Sequence, residues 1–255
     1  MQVGITGYRA CGKTTVFNCL TGSSATTGFG GGREANRGVI RVPDPRIDAL
    51  SAIFSPKKTT YADISFVDLP GPPEGESGID KTTAAELRRM DALVHVVRGF
   101  DDAGGVPLRN DKLDPPGDLE DFDAELALYD TMVLENRLER LQKEGKKTRE
   151  LELLERVHAG MEGGEKPARL LDLDEQARSA LSGFQLLSLK PQLALLALPD
   201  DVAADEAAAT EAAVAQLNHA GHGQILRTMT DDDARERSRL WDEARREFQT
   251  CLRLI

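Results

Sequence analysis

The most specific chemistry in this chain sits near its start, in Gly7-Tyr8-Arg9-Ala10-Cys11-Gly12-Lys13-Thr14. The run matches G-x-x-x-x-G-K-[ST] at every fixed position. Small glycines let backbone N–H groups curl around phosphate oxygens, and a helix start adds the positive end of its dipole. Lys13 can reach the β- and γ-phosphates of a nucleotide, and the Thr14 hydroxyl can ligate Mg²⁺. Arg9, Ala10, Cys11, Gly12, Lys13, Thr14 and Thr15 are therefore read as nucleotide-binding, with Lys13 also the catalytic cation. The Arg9 side chain reads first as a solvated arginine and second as another cation over the phosphates. The bland alternative is an ordinary strand–turn–helix with a solvated lysine. Context opposes it, because a strand pattern precedes the motif and a helix pattern follows.

Asp68-Leu69-Pro70-Gly71 follows an apolar strand pattern. A D-x-x-G run on its own is a plain turn. After a phosphate-loop unit it reads as a switch, in which Asp68 holds Mg²⁺ through water and the Gly71 N–H senses the γ-phosphate.

Strands and helices must position these residues. Apolar or β-branched runs predict strands at 2–6, 39–42, 62–67, 92–97 and 193–198. Periodic runs predict helices at 13–21, 46–54 and 82–90. The Gly/Ser/Thr-rich stretch 22–38 predicts a mobile loop. From about residue 117 the pattern changes. Leu119, Phe122, Leu126, Tyr129 and Val133 step by three and four, and Leu134, Leu138 and Leu141 continue one residue out of phase. Leu151, Leu154, Val157 and Met161 repeat the stripe after a break at Gly145. This predicts an antiparallel helical hairpin with a charged outer face. A further helix is expected over 173–187, then one over 201–217, a strand at 225–229 and a final helix whose face carries Trp241, Ala244, Phe248, Cys251 and Ile255. Strands alternating with helices imply an α/β fold. The expected division is residues 1–117 with 189–255, interrupted by a helical insertion at 118–188.

Composition narrows the classes. The 255 residues are 40% hydrophobic and 29% charged, which suits a soluble globular chain with a full core. No run approaches the length of a membrane-spanning helix, and the first residues do not form a secretory signal. Cys11, Cys19 and Cys251 have no paired spacing, which opposes a disulfide scaffold or a cysteine zinc site and favours a cytoplasmic location. A net charge of −11 argues against broad nucleic-acid binding, so no direct DNA binding is expected.

Together these residues resemble the YchF family of Obg-like ATPases, which are translation-factor-class P-loop NTPases. Several stretches besides the phosphate loop carry the resemblance. They are Glu34-Ala35-Asn36-Arg37-Gly38-Val39 through Asp48, Pro56-Lys57-Lys58 leading into Asp68, Asp91 to Arg98, Glu125-Leu126-Ala127-Leu128, and Leu186 to Pro191. The resemblance implies a Ras-like G domain with a mostly parallel sheet, a coiled-coil insertion, Mg²⁺, ATP or GTP as ligand, hydrolysis and a ribosome-linked role. It also marks departures. Ala10 stands where the family has Asn, so stimulation by K⁺ is not expected. Gly32 aligns with the first-switch Thr, and Pro72, with Pro73 beside it, follows the D-x-x-G. Ala197 aligns with a base-binding Asn, while Asp200 keeps the position of an acid and is assigned to base recognition. Thr228-Met229-Thr230 matches the last nucleotide motif weakly. A final helix is expected where the family continues into a TGS domain, so that domain is expected to be absent.

Bland readings apply elsewhere. His95 reads as a core histidine with satisfied ring nitrogens, and His158, His219 and His222 lack metal-ligand spacing. Cys11 reads first as a small core group and second as a reactive thiol. Lys143, Lys146, Lys147 and Arg149 read as a solvated hairpin tip, or else as a contact with rRNA or a protein partner. Two functions stand. One is a slow Mg²⁺-dependent NTPase acting as a molecular switch. The other is a degenerate, non-hydrolysing nucleotide-binding scaffold acting through its hairpin.

Overall fold

The computed structural model describes residues 1–25, 35–42, 44–71, 78–101, 105–145 and 148–198. The expected elements at 201–217 and 225–229 and the final helix lie outside the described residues.

Five strands form one sheet: β1 (Gln2–Thr6), β2 (Asn36–Val42), β3 (Ala62–Asp68), β4 (Ala92–Arg98) and β5 (Gln192–Ala197), in the order β2-β3-β1-β4-β5. β1 is parallel to β3 and β4, and β4 to β5; β2 is antiparallel to β3. The sheet is thus mostly parallel, as expected, with one reversed edge. Residues alternate between its faces. Val3, Ile5, Phe66, Val94, Val96 and Leu195 pack with Val16 and Phe17 of α1 (Lys13–Thr21) on one side. Val67, Leu87, Leu93, Phe122 and Leu126 pack together on the other. Leu87 belongs to α3 (Lys81–Arg88), and α2 (Pro45–Phe54) links β2 to β3.

Between β4 and β5 the chain leaves the sheet through α4 (Pro115–Glu144) and α5 (Arg149–Gly160). Asp114 caps α4, accepting from the Gly117 N–H, and Pro115 and Pro116 occupy positions that need no N–H donor. Thr148 caps α5 through the Leu151 N–H, with Glu150 and Glu152 in the first turn where the dipole favours acids. Leu119, Phe122 and Leu126 of α4 pack on the sheet. Leu134, Leu138 and Leu141, further along the same helix, pack instead with Leu154, Val157 and Met161. One helix therefore packs on the sheet at one end and within the hairpin at the other. Each fully buried leucine contributes roughly 2 kcal/mol.

Two local expectations are corrected. The helix expected at 173–187 is α6 (Glu175–Leu181), followed by a 3₁₀ turn at Ser182–Phe184. It stops because Gln185 turns left-handed and the Leu187 and Ser188 N–H groups bond to the Asp130 carboxylate instead of to helix carbonyls. The second strand starts at Asn36 rather than 39, because its first residues find partners on β3.

Candidate nucleotide site

The site lies where β1 and β3 end, at the edge from which α1 starts. Gly7 leaves β1 with φ +138°, and a Cβ there would lie 2.3 Å from the Val96 carbonyl, so only glycine fits the turn. Gly12 caps α1 at φ +97° without a side-chain bond, and the first turn of α1 holds no acid. Its N–H groups remain available to an anion. Ala10 also takes positive φ, at 59°. Asn tolerates that region better than Ala does.

Lys13 is 8% exposed. Its ammonium folds back onto the loop, donating to the Gly7 carbonyl at 2.9 Å and the Tyr8 carbonyl at 2.7 Å. The Cys11 Sγ lies 3.9 Å away. Cys11 is buried, and burial pushes its thiol up from the ordinary range, which keeps it protonated. It is a core group, as read. A side chain at Gly71 would begin 3.1 Å from the Lys13 ammonium, so the D-x-x-G glycine closes over the loop.

Asp68 ends β3 and is 5% exposed. Its Oδ2 accepts from the Thr14 hydroxyl at 2.8 Å and from Asn36 Nδ2 at 3.0 Å. Its Oδ1 is buried and has no partner among the described residues. The antiparallel register pairs Asn36 with Asp68 and so fixes that contact. A buried carboxylate oxygen without a donor is costly. Beside the Thr14 hydroxyl, it suits a hard cation that takes oxygen ligands. Among the described residues no cluster of three His, Cys, Asp or Glu could hold a metal by itself, so an ion here would need phosphate or water oxygens as well.

The structure thus brings together Lys13, Thr14, Asp68, Gly71 and the Arg9 backbone. Ala10 and Arg9 are half-buried on the loop, and Thr15 is exposed on α1. Ala197 lies beside the loop, with its Cβ 3.9 Å from where a Cβ on Gly12 would sit. Asp200, Gly32, Pro72, Pro73 and Thr228-Met229-Thr230 lie outside the described residues.

His95 departs from its reading. It is fully buried, as expected, but neither ring nitrogen has a partner among the described residues. Its ring stacks on Phe122 at 4.0 Å and 28° and meets the Tyr8 ring edge-on at 6.5 Å. Burial, with the cations Arg169 and Lys13 adding to it, lowers its pKa to about 3, so it is neutral at ordinary pH.

Sequence reasoning missed Asn36, the Tyr8 hydroxyl and Glu125. Asn36 stood in a quoted stretch, but only strand register shows its partner. Tyr8 and Glu125 are 117 positions apart, and no local pattern links them.

A family model described as 50S ribosome-binding GTPase matches residues 2–137, more than half the chain. The chain belongs to that family, on its YchF-type, Obg-like branch. A ribosome-binding ATPase YchF of Haemophilus ducreyi is 35% identical over 210 residues, covering 78% of this chain. That of Bacillus subtilis is 32% identical over 216 residues and covers 80%. The chain spans 57% and 58% of the lengths of these two relatives. The YchF GTPase structure of Schizosaccharomyces pombe superposes with a TM-score of 0.72 at 22% identity, covering 97% of this chain and 71% of that one. This likeness speaks to the fold: a P-loop G domain. No described helix is long and apolar enough to cross a membrane.

Proposed function

We propose that this YchF-type chain is a Mg²⁺-dependent P-loop NTPase that binds ATP or GTP and hydrolyses it slowly. One observation carries the reading: among the described residues Asp68 keeps a buried oxygen without a partner beside the Thr14 hydroxyl, next to a lysine that donates to two loop carbonyls. Thr14 and Asp68 are the residues that would hold Mg²⁺, Thr14 directly and Asp68 through water. Bound there, the ion would neutralise charge on the β- and γ-phosphates. Lys13 exchanges its two loop carbonyls for phosphate oxygens, a stronger charge-assisted pair. Loop N–H groups from Arg9 to Thr15 orient the phosphates, and the Gly71 N–H reads the γ-phosphate. Asp200 is assigned to the base. The residue after the second-switch glycine is Pro72, which cannot orient water as a glutamine does. Turnover is therefore expected to be slow without a partner.

The relatives' names speak of ribosome binding and ATP hydrolysis. For this chain we take the ribosome as the partner, in the cytoplasm, with the coiled-coil-like hairpin (118–188) inserted into the G domain (1–117 and 189–255) as the contacting part. The cluster of Leu134, Leu138 and Leu141 with Leu154 and Val157 supports a distinct insertion, whose base is tied to the sheet by Leu119, Phe122 and Leu126.

Titration calorimetry with ATP and GTP in Mg²⁺ tests the reading. Micromolar binding is expected, weakened at least about a hundredfold (about 2.7 kcal/mol) by Lys13→Ala. The tighter nucleotide assigns the base preference. No binding of either one sinks the proposal. Co-sedimentation with ribosomes, with and without nucleotide, tests the partner.

A further inference from the structure

Phe122, Glu125 and Tyr129 of α4 lie three and four residues apart and share one face. That face meets two parts of the nucleotide site at once. The Tyr8 hydroxyl of the phosphate loop donates to Glu125 Oε1 at 3.0 Å. The Ile79 N–H, just beyond the D-x-x-G segment, donates to Glu125 Oε2 at 2.7 Å. One turn on, the Tyr129 hydroxyl donates to the Ile79 carbonyl at 2.6 Å. Both polar groups of the Ile79 backbone are therefore held by the inserted helix. The approach is close: a Cβ on Gly78, which takes φ +107°, would sit 3.1 Å from the Glu125 carboxylate. The Tyr8 ring is fixed in turn, edge-on to Phe122 at 6.0 Å and under the Arg109 guanidinium at 4.4 Å. Burial first, and then the Glu125 charge, holds the Tyr8 phenol far above its ordinary range, so it remains a donor.

We infer that Glu125 is a positioning residue of the nucleotide site, joining Tyr8 of the phosphate loop and Ile79 beyond the second switch to the inserted hairpin. The inference rests on the nucleotide-binding reading above. A carboxylate bonded to both segments ties their positions to each other and to α4. A ligand that moves either segment must then shift the helix or break a bond. Linkage makes the effect mutual: whatever shifts α4 alters nucleotide affinity by the same factor.

Glu125→Ala removes the joint. Glu125→Gln keeps it, because the amide oxygen accepts from Ile79 while the amide nitrogen donates to the Tyr8 hydroxyl. Tyr8→Phe removes one bond without touching the helix. Calorimetry with Mg·ATP and Mg·GTP on the full chain should show losses of about five- to tenfold for Glu125→Ala and for Tyr8→Phe. Glu125→Gln should stay within about twofold of wild type. The double variant should bind no more weakly than Glu125→Ala, since Glu125→Ala already breaks the bond that Tyr8→Phe removes. Hydrogen exchange supplies the readout a purely structural role would not move: nucleotide should alter α4 amide protection in wild type and in Glu125→Gln, and less in Tyr8→Phe, where only the bonds to Ile79 remain. Unchanged affinity in Glu125→Ala and Tyr8→Phe, multiplicative losses, or α4 exchange indifferent to nucleotide in wild type would overturn the inference alone. A wild type that binds no nucleotide removes it together with the reading beneath it.

Discussion

Two buried carboxylates sit at opposite ends of this molecule's logic. Asp130, at the neck of the hairpin, is fully buried. Its Oδ1 accepts the Leu187 N–H at 2.7 Å, and its Oδ2 accepts the Ser188 N–H at 2.6 Å and hydroxyl at 2.7 Å. Asp68, at the end of β3, fills one oxygen twice and leaves the other with no partner among the described residues. The first carboxylate is saturated by its own chain and works as a joint, setting where the returning strand begins. The second holds capacity in reserve at the place where phosphate and metal would arrive. Burial alone does not separate a structural charge from a functional one. The separation comes from how many of its bonds the protein has already made.

The comparison can be broken by substitution. Asp130→Ala should have the largest effect, about 3 kcal/mol lost in denaturant unfolding, because buried donors at Leu187 and Ser188 lose their acceptor. A loss under 1 kcal/mol would mean the neck is held by packing and the saturated bonds are incidental.

His95 sharpens the contrast, because its ring nitrogens, like Asp68 Oδ1, are buried with no partner among the described residues, and yet the ring is walled by Phe122 rather than open to a ligand. Its pKa falls from 6.5 to about 3 on folding. The unfolded chain therefore binds the proton first, and stability is lost as pH drops through that window. Between pH 6 and 4.5 wild type should lose up to about 2 kcal/mol more than His95→Phe, at no more than about 1.4 kcal/mol per pH unit. Equal acid profiles for the two proteins would show that the ring takes up its proton without unfolding.

Asp68→Asn should leave stability within about 1 kcal/mol, since one oxygen still accepts from Thr14 and Asn36. The gain in nucleotide affinity on adding Mg²⁺ should shrink about tenfold, which titrations with and without chelator would measure. If the Mg²⁺ gain persists in full, the free oxygen is not reserved for the ion. The smallest effect belongs to Ala10. Relieving its positive φ with Ala10→Gly should add about 0.5–1 kcal/mol, read as a higher unfolding midpoint.

How much of this was legible in the sequence follows from how local each feature is. Lys13, Thr14, Asp68 and Gly71 announce themselves because their chemistry needs fixed spacing along the chain. The hairpin was legible because Leu134, Leu138, Leu141, Leu154 and Val157 repeat with the helix, although one continuous α4 absorbs the expected phase shift. The end of α6 was not legible, because it depends on amides captured by Asp130 from 57 and 58 positions away. Asn36 needed the β2–β3 register, and the partnerless nitrogens of His95 needed the stack on Phe122. Periodicity shows which face is buried; it does not show which polar atom is left without a partner.

The 30 residues of α4 have one further consequence. From Glu125 to the end of the helix at Glu144 the rod extends about 28 Å at ~1.5 Å per residue. If it pivoted near Glu125, it would act as a pointer. A tilt of about ten degrees, too small to notice among the packed rings at its base, would sweep the far end through about 5 Å. The length of one uninterrupted helix would thus set the gain with which a sub-ångström event at a phosphate is displayed at a distance.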